Sequence, residues 1–168
     1  MDLTDFQTTI GVTFADELLL TKALTHRSYV NEHRTEAREH NERLEFLGDA
    51  VLELVVTENL FAMYPDKNEG ELTSYRAALV NTQSLSAVAE ELSIGEVLLL
   101  SRGEAKDTGR ARQYILANAT EAIIGAIYRD QGYTEAKRFI DRFIMPRIDA
   151  VIAEGTWIDA KSAFQERA

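Results

Sequence analysis

Apolar residues fall at helical intervals through "FADELLLTKALTH", which predicts a first helix from Phe14 to His26. A polar stretch, "RSYVNEHRTEAREH", separates it from a second and longer pattern running from Asn41 to about Tyr64. There the apolar positions Leu44, Phe46, Leu47, Ala50, Val51, Leu52, Leu54, Val55, Val56, Leu60 and Phe61 wrap nearly all round a helix, the signature of a central, buried element. Pro65 would stop it. Asn68 followed by Glu71 reads as a helix start, opening two amphipathic segments, "ELTSYRAALV" and "TQSLSAVAEEL". "SIGEVLLLS" is ambiguous between a short strand and a helical turn, and "RGEAKDTGRAR", Arg102 to Arg112, with two glycines and mixed charge, reads as a loop. Two further helices follow, "QYILANATEAIIGAIYRD" and "YTEAKRFIDRFIMPRIDAVIAE", the second bent or interrupted at Pro146. Only two prolines and nine scattered glycines stand in the way of long helices, so the expected class is all-α.

Length and composition narrow this further. A chain of 168 residues, 45 % hydrophobic, has the material for one core, expected over residues 1–154, with 155–168 as a linker. There is no cysteine, so any metal must be held by oxygen or imidazole ligands, which favours hard cations. No apolar run approaches the roughly 20 residues that cross a bilayer, and the N-terminus lacks the pattern of a signal peptide, so the expected setting is the cytoplasm, away from membranes. A net charge of −10 argues against a general nucleic-acid-binding module; affinity for a polyanion would have to come from local basic patches, metal ions or a further domain.

The chemistry concentrates in "HNERLEFLGDAVLEL". At roughly 100° per residue, Glu42, Glu45 and Asp49 fall at about 0°, 300° and 340°, one narrow stripe of the long helix. A solvated acidic face has the same spacing, but few other polar positions break this helix. Like charges so close repel unless a cation compensates them, which points to a divalent metal, with Mg²⁺ favoured by an all-oxygen donor set. Asn118 and Glu121 form a second polar pair, one turn apart in a helix of small and apolar residues. Gly48 and Gly125 each weaken a helix by about 1 kcal/mol, and the usual return is the close approach of another backbone. If the two helices cross near these glycines, Glu45, Asp49, Asn118 and Glu121 converge on one or two ions. His26, His33 and His40 recur every seven residues but lie in a polar region without i,i+4 spacing, and read as surface or capping residues.

These residues carry a resemblance. "NERLEFLGDAVL" is similar to the signature of the ribonuclease III endonuclease domain, and "LTHRSYVNE", "NEGELTSYRAALVN", "RGEAKDTGR" and "ILANATEAIIGAIYRDQGY" follow in that family's order across essentially the whole chain. "DAKSAFQERA" resembles the entry into the double-stranded-RNA-binding domain of bacterial members, a domain absent from this sequence. The resemblance implies an all-helical endonuclease fold, a symmetric homodimer with the signature helices near the interface, and Mg²⁺-dependent hydrolysis of double-stranded RNA leaving 5′-phosphate and 3′-hydroxyl ends, as in rRNA and mRNA processing. Mn²⁺ would substitute, and no small-molecule cofactor is implied. Glu45, Asp49 and Glu121 match the family's metal-binding acids; Glu42 and Glu69 match two more that line the RNA cleft. Phe46 matches an aromatic residue that plugs into the partner subunit in some members, with ordinary core packing as the other reading. Where the bacterial pattern has an aspartate, this chain has Asn118, which can ligate through its carbonyl oxygen but brings no charge. Tyr114 stands where a serine is common, and nothing in the sequence accounts for it.

A phosphate backbone must be met by lysine or arginine. Arg102, Lys106, Arg110 and Arg112 cluster in the glycine-bracketed segment, with Lys67 and Arg76 near Glu69, and recognition of duplex RNA through shape, 2′-hydroxyls and phosphates predicts weak sequence preference. The competing expectation is a catalytically attenuated dimeric module that binds structured RNA, with Asn118 as its mark.

Overall fold

The computed structural model describes residues 2–34 and 39–155, so all of the expected linker after Gly155 lies outside the described residues. The chain forms α1 (Leu3–Ile10), α2 (Glu17–Ala23), α3 (Arg27–Glu32), α4 (Glu42–Met63), α5 (Glu69–Val80), α6 (Thr82–Glu91), α7 (Ile94–Val97), α8 (Arg110–Gln131), α9 (Tyr133–Phe143) and α10 (Ile148–Glu154). Among the described residues no strand forms beyond one isolated parallel bridge between Thr25 and Leu99. None of the helices among them is long and apolar enough to cross a membrane.

The local signals act as their chemistry requires. Asn68 caps α5: its side chain accepts from the Glu71 N–H at 3.0 Å, and the Glu71 carboxylate accepts from the Asn68 N–H at 3.2 Å. Pro146 breaks the last helical pattern into α9, a 3₁₀ turn at Met145–Arg147, and α10. The ambiguous "SIGEVLLLS" divides into the short α7 and the bridge residue Leu99.

Four expectations need correction. The first helix is shorter than Phe14 to His26, because Asp16 caps it by accepting from the Leu18 N–H. Two helices lie outside every expected segment: α1, capped by Asp2, and α3, inside the stretch read as a polar separator. α8 begins at Arg110, so Arg110 and Arg112 stand on its first turn instead of in the loop, which keeps only a 3₁₀ turn at Glu104–Lys106. Finally, α4 is not buried all round. Leu44, Val51, Leu52, Val55, Val56 and Leu60 enter the core, but Phe46 is 81 % exposed, Leu54 58 % and Phe61 74 %.

α8 forms the axis of the core, with nearly every residue from Ile115 to Ile127 buried except Asn118 and Glu121. It packs most extensively on α4 and next on α6, where buried Thr120 donates to the Leu85 carbonyl at 3.3 Å as well as to Leu116 in its own helix. Each of its buried isoleucines contributes about 1.5–3 kcal/mol relative to exposure. At the far end of α8, the Asp130 carboxylate accepts the N–H groups of Ala15 and Asp16, both at 2.9 Å, and holds the start of α2 in place.

Candidate active site

The α4–α8 crossing is glycine on glycine. A β-carbon on Gly48 would lie 1.7 Å from the Glu121 carbonyl oxygen and 2.8 Å from the Gly125 nitrogen. One on Gly125 would lie 2.1 Å from the Leu44 carbonyl oxygen. Only two bare backbones can approach so closely. Because Glu45 and Asp49 flank Gly48 in sequence while Asn118 and Glu121 lie within two turns before Gly125, this contact brings the two polar sets to one place.

The electrostatics record that convergence. Glu121 is partly buried, and its carboxyl is pushed up to about 8, first by burial and then by the negative charges of Asp49, Glu45 and Glu53. Burial also raises Glu45, assisted by Glu42 and Asp49. The stripe therefore extends beyond the three acids read from the sequence: Glu53, four residues after Asp49, belongs to it and was missed, although continuing the same helical spacing would have found it.

The two ends of the stripe are neutralised and its middle is not. Glu42 pairs with Arg27 at 3.0 Å, with His40 3.7 Å away, and Glu53 pairs with Arg76 at 2.8 Å. Among the described residues, Glu45, Asp49 and Glu121 meet no lysine or arginine. Three carboxyl groups at the foot of a buried helix crossing, with no counter-ion among the described residues, form a donor set suited to a hard divalent cation, and the partly buried Asn118 offers a neutral oxygen one turn from Glu121. Among the described residues, no three acidic or imidazole side chains stand close enough together to form a ready-made metal cage.

The remaining candidates divide. Glu69, the first residue of α5, accepts from the Thr73 hydroxyl at 3.0 Å and lines a separate cleft of about 420 Å³ with Thr57, Phe61, Lys67 and Arg76. That cleft flanks the C-terminal half of α4; Thr57 lies roughly 12 Å along the helix from Asp49. Lys67 is engaged with Glu71 at 2.9 Å, and Arg76 with Glu53 and, at 2.9 Å, the Thr57 hydroxyl. Arg112 turns inward and donates to the Gly95 carbonyl at 3.3 Å. Arg102, Lys106 and Arg110 are exposed. The exposure of Phe46 excludes packing in its own core. Of the histidines, His26 caps α3, and burial lowers its pKa; His33 bonds the Tyr29 carbonyl.

The chain as a whole is similar to known proteins. A family model described as Ribonuclease-III-like matches residues 16–148. Ribonuclease 3 of Bacillus cereus (strain G9842) is 51 % identical over 164 residues, an alignment covering 96 % of this chain and 65 % of the relative, so the chain spans just under two thirds of that protein's length. Among solved structures, the nuclease domain of ribonuclease III from Campylobacter jejuni, described with flexibility in a region involved in dimer formation, is 41 % identical at a TM-score of 0.77, covering 85 % of this chain and 96 % of that one. Dicer from Pichia stipitis is similar at 27 % identity and a TM-score of 0.61, over 82 % of this chain and 58 % of that one. A helical fold crossed at Gly48 and Gly125, a matched family model and half the residues shared with a ribonuclease 3 establish that the chain belongs to the ribonuclease III family.

Proposed function

We propose that the chain is a double-stranded-RNA endonuclease: a homodimer, working in the cytoplasm on rRNA and mRNA precursors, that hydrolyses phosphodiester bonds with Mg²⁺ or Mn²⁺ to leave 5′-phosphate and 3′-hydroxyl ends. The observation that carries this reading is the trio Glu45, Asp49 and Glu121 beneath the glycine crossing, which meets no lysine or arginine among the described residues.

Glu45, Asp49 and Glu121, with the Asn118 carbonyl oxygen, would hold the cation. When bound, Mg²⁺ supplies Lewis acidity at the phosphodiester and lowers the pKa of nearby water, so no nucleophilic side chain is needed. The chain's own residues do the rest. Burial and the neighbouring acids push the Glu121 carboxyl up to about 8, so a cation held there would compete with its proton. The Gly48–Gly125 contact fixes the separation of the acid-bearing helices, which holds the scissile bond in register. Exposed Arg102, Lys106 and Arg110 meet the phosphate backbone beside the acids, and the charge of −10 makes binding weak and salt-sensitive. Phe46, Ala50, Leu54 and Phe61 leave an exposed apolar stripe along α4, which suits burial against a second copy.

A second reading, an attenuated RNA-binding dimer, is favoured by Asn118, whose amide brings no charge to the cluster. One assay separates them: a long RNA duplex incubated in Mg²⁺ and in Mn²⁺ with the unaltered chain, Asp49→Asn, Glu121→Gln and Asn118→Asp. The nuclease reading expects cleavage that is lost in the first two variants. Binding without cleavage by the unaltered chain in either metal would favour the attenuated module.

A further inference from the structure

α3 joins the acidic site to the loop that carries Arg102 and Lys106. On one side, Arg27 pairs with Glu42 at 3.0 Å, and the Asn41 N–H that opens α4 donates to the Thr25 carbonyl at 2.9 Å. On the other side, the Ser28 hydroxyl oxygen accepts the Ser101 N–H at 3.1 Å, and Glu32 Oε2 accepts the Arg102 N–H at 2.9 Å. The Ser101 hydroxyl in turn accepts the Glu104 N–H at 3.3 Å. Below these contacts the Thr25–Leu99 bridge ties the same two chain segments together through the His26 N–H to the Leu99 carbonyl at 3.0 Å and the Leu99 N–H to the Leu24 carbonyl at 2.8 Å. A helix of six residues, with none of them fully buried, thus spends its polar groups on its neighbours.

Glu32 is the informative member. In a chain of charge −10, a carboxylate beside a phosphate-binding loop opposes RNA by simple Coulomb repulsion. Its geometry shows what it is for. It grips the backbone of Arg102 at 2.9 Å, while the nearest guanidinium nitrogen is 3.6 Å away and the Arg102 side chain stays 94 % exposed. The loop is fastened by its main chain, and the cation is left available.

We propose that Glu32, seconded by Ser28, is a positioning residue for RNA: it holds the segment carrying Arg102 and Lys106 at a set distance from the acids of α4, so that duplex RNA meets both together. This rests on the proposed nuclease reading. The two alternatives for Glu32 have opposite signs. If it positions the loop, Glu32→Ala raises KM for a long RNA duplex about tenfold and leaves kcat within about twofold, because the acids are untouched. If it acts only as a charge, Glu32→Ala lowers KM.

The experiment compares cleavage of a long RNA duplex by the unaltered chain, Glu32→Ala and Glu32→Gln, with amide hydrogen exchange at Ser101 and Arg102 on the free proteins. Support is a raised KM for Glu32→Ala, recovery in Glu32→Gln, whose amide oxygen can still accept the Arg102 N–H, and faster exchange at Arg102 in the alanine variant alone. An unchanged or lowered KM, or equal losses in both variants, overturns the proposal. Should Glu32→Ala not fold, Ser28→Ala, which cuts the tether to Ser101, carries the same expectation and the same power to refute. Failure of the unaltered chain to cleave would count against the nuclease reading, whereas exchange at Arg102 tests the bracket by itself.

Discussion

The carbonyl oxygen of Glu121 occupies the space that a side chain on Gly48 would need, 1.7 Å from where its β-carbon would sit. A single methyl group therefore has to push two helices apart at the site itself. Gly48→Ala is expected to destabilise the fold by about 3 kcal/mol or more, at the upper end for overpacking, because backbone cannot turn aside as a side chain can. Gly70, second in α5, has only the Asn68 side chain at 3.4 Å, so Gly70→Ala should be neutral or stabilising by up to about 1 kcal/mol. Urea melts of the two variants make the comparison; equal effects would contradict the crossing.

The raised carboxyl of Glu121 makes stability depend on pH in a defined direction. Ordinarily near 4.5, it is pushed to about 8 in the folded chain, so the native state binds that proton more tightly. Its contribution is whole below about pH 4.5 and drains away as pH climbs towards 8. In the absence of divalent ions, stability should fall over this interval by on the order of 1–3 kcal/mol, allowing for partial exposure. Glu121→Gln should flatten the profile, and Mg²⁺ should restore stability at the alkaline end. Thermal melts from pH 5 to 8, with and without Mg²⁺, check both.

Asn118→Asp adds a negative donor to the same cluster. Cation affinity should rise about tenfold, with the Mg²⁺ concentration for half-maximal cleavage falling to match. Without metal the same variant should be less stable than the unaltered chain at pH 8, since one more like charge faces Glu121. A Mg²⁺ dependence that does not move would remove Asn118 from the ligand set.

Phe46, 81 % exposed on the apolar side of α4, is expected to be the anchor of a dimer. Sedimentation should give twice the 18.9 kDa chain mass for the unaltered protein. Phe46→Ala should weaken association by about 2–4 kcal/mol, as truncated aromatic anchors do, without lowering helical content. A monomer at micromolar concentration before any substitution would contradict the assignment.

How far the sequence revealed all this depends on the kind of signal. Helix starts with local chemistry, such as Asn68 with Glu71, were legible because the capping partners lie three residues apart. The crossing was legible because two glycines in otherwise strong helices demand a reason. α3 was not: it is short and polar, and what stabilises it is His26 at its start and a loop some seventy residues away. Nor was the exposed side of α4, because an apolar pattern says that a face is to be covered, not whether its own core or a second chain covers it. Glu53 keeps the helical period of Glu42, Glu45 and Asp49 but stands beyond the motif, and the inward turn of Arg112 follows from α7, whose position no local pattern discloses.

Asp49 on α4 and Glu121 on α8 are expected to grip one cation together. Calorimetric titration of Mn²⁺ into the unaltered chain, Asp49→Asn, Glu121→Gln and the double variant tests it directly. Each single substitution should largely abolish binding, with the double variant losing far less than the sum of the two. Single variants that bind as the unaltered chain does, or losses that simply add, would mean that the two acids serve separate places.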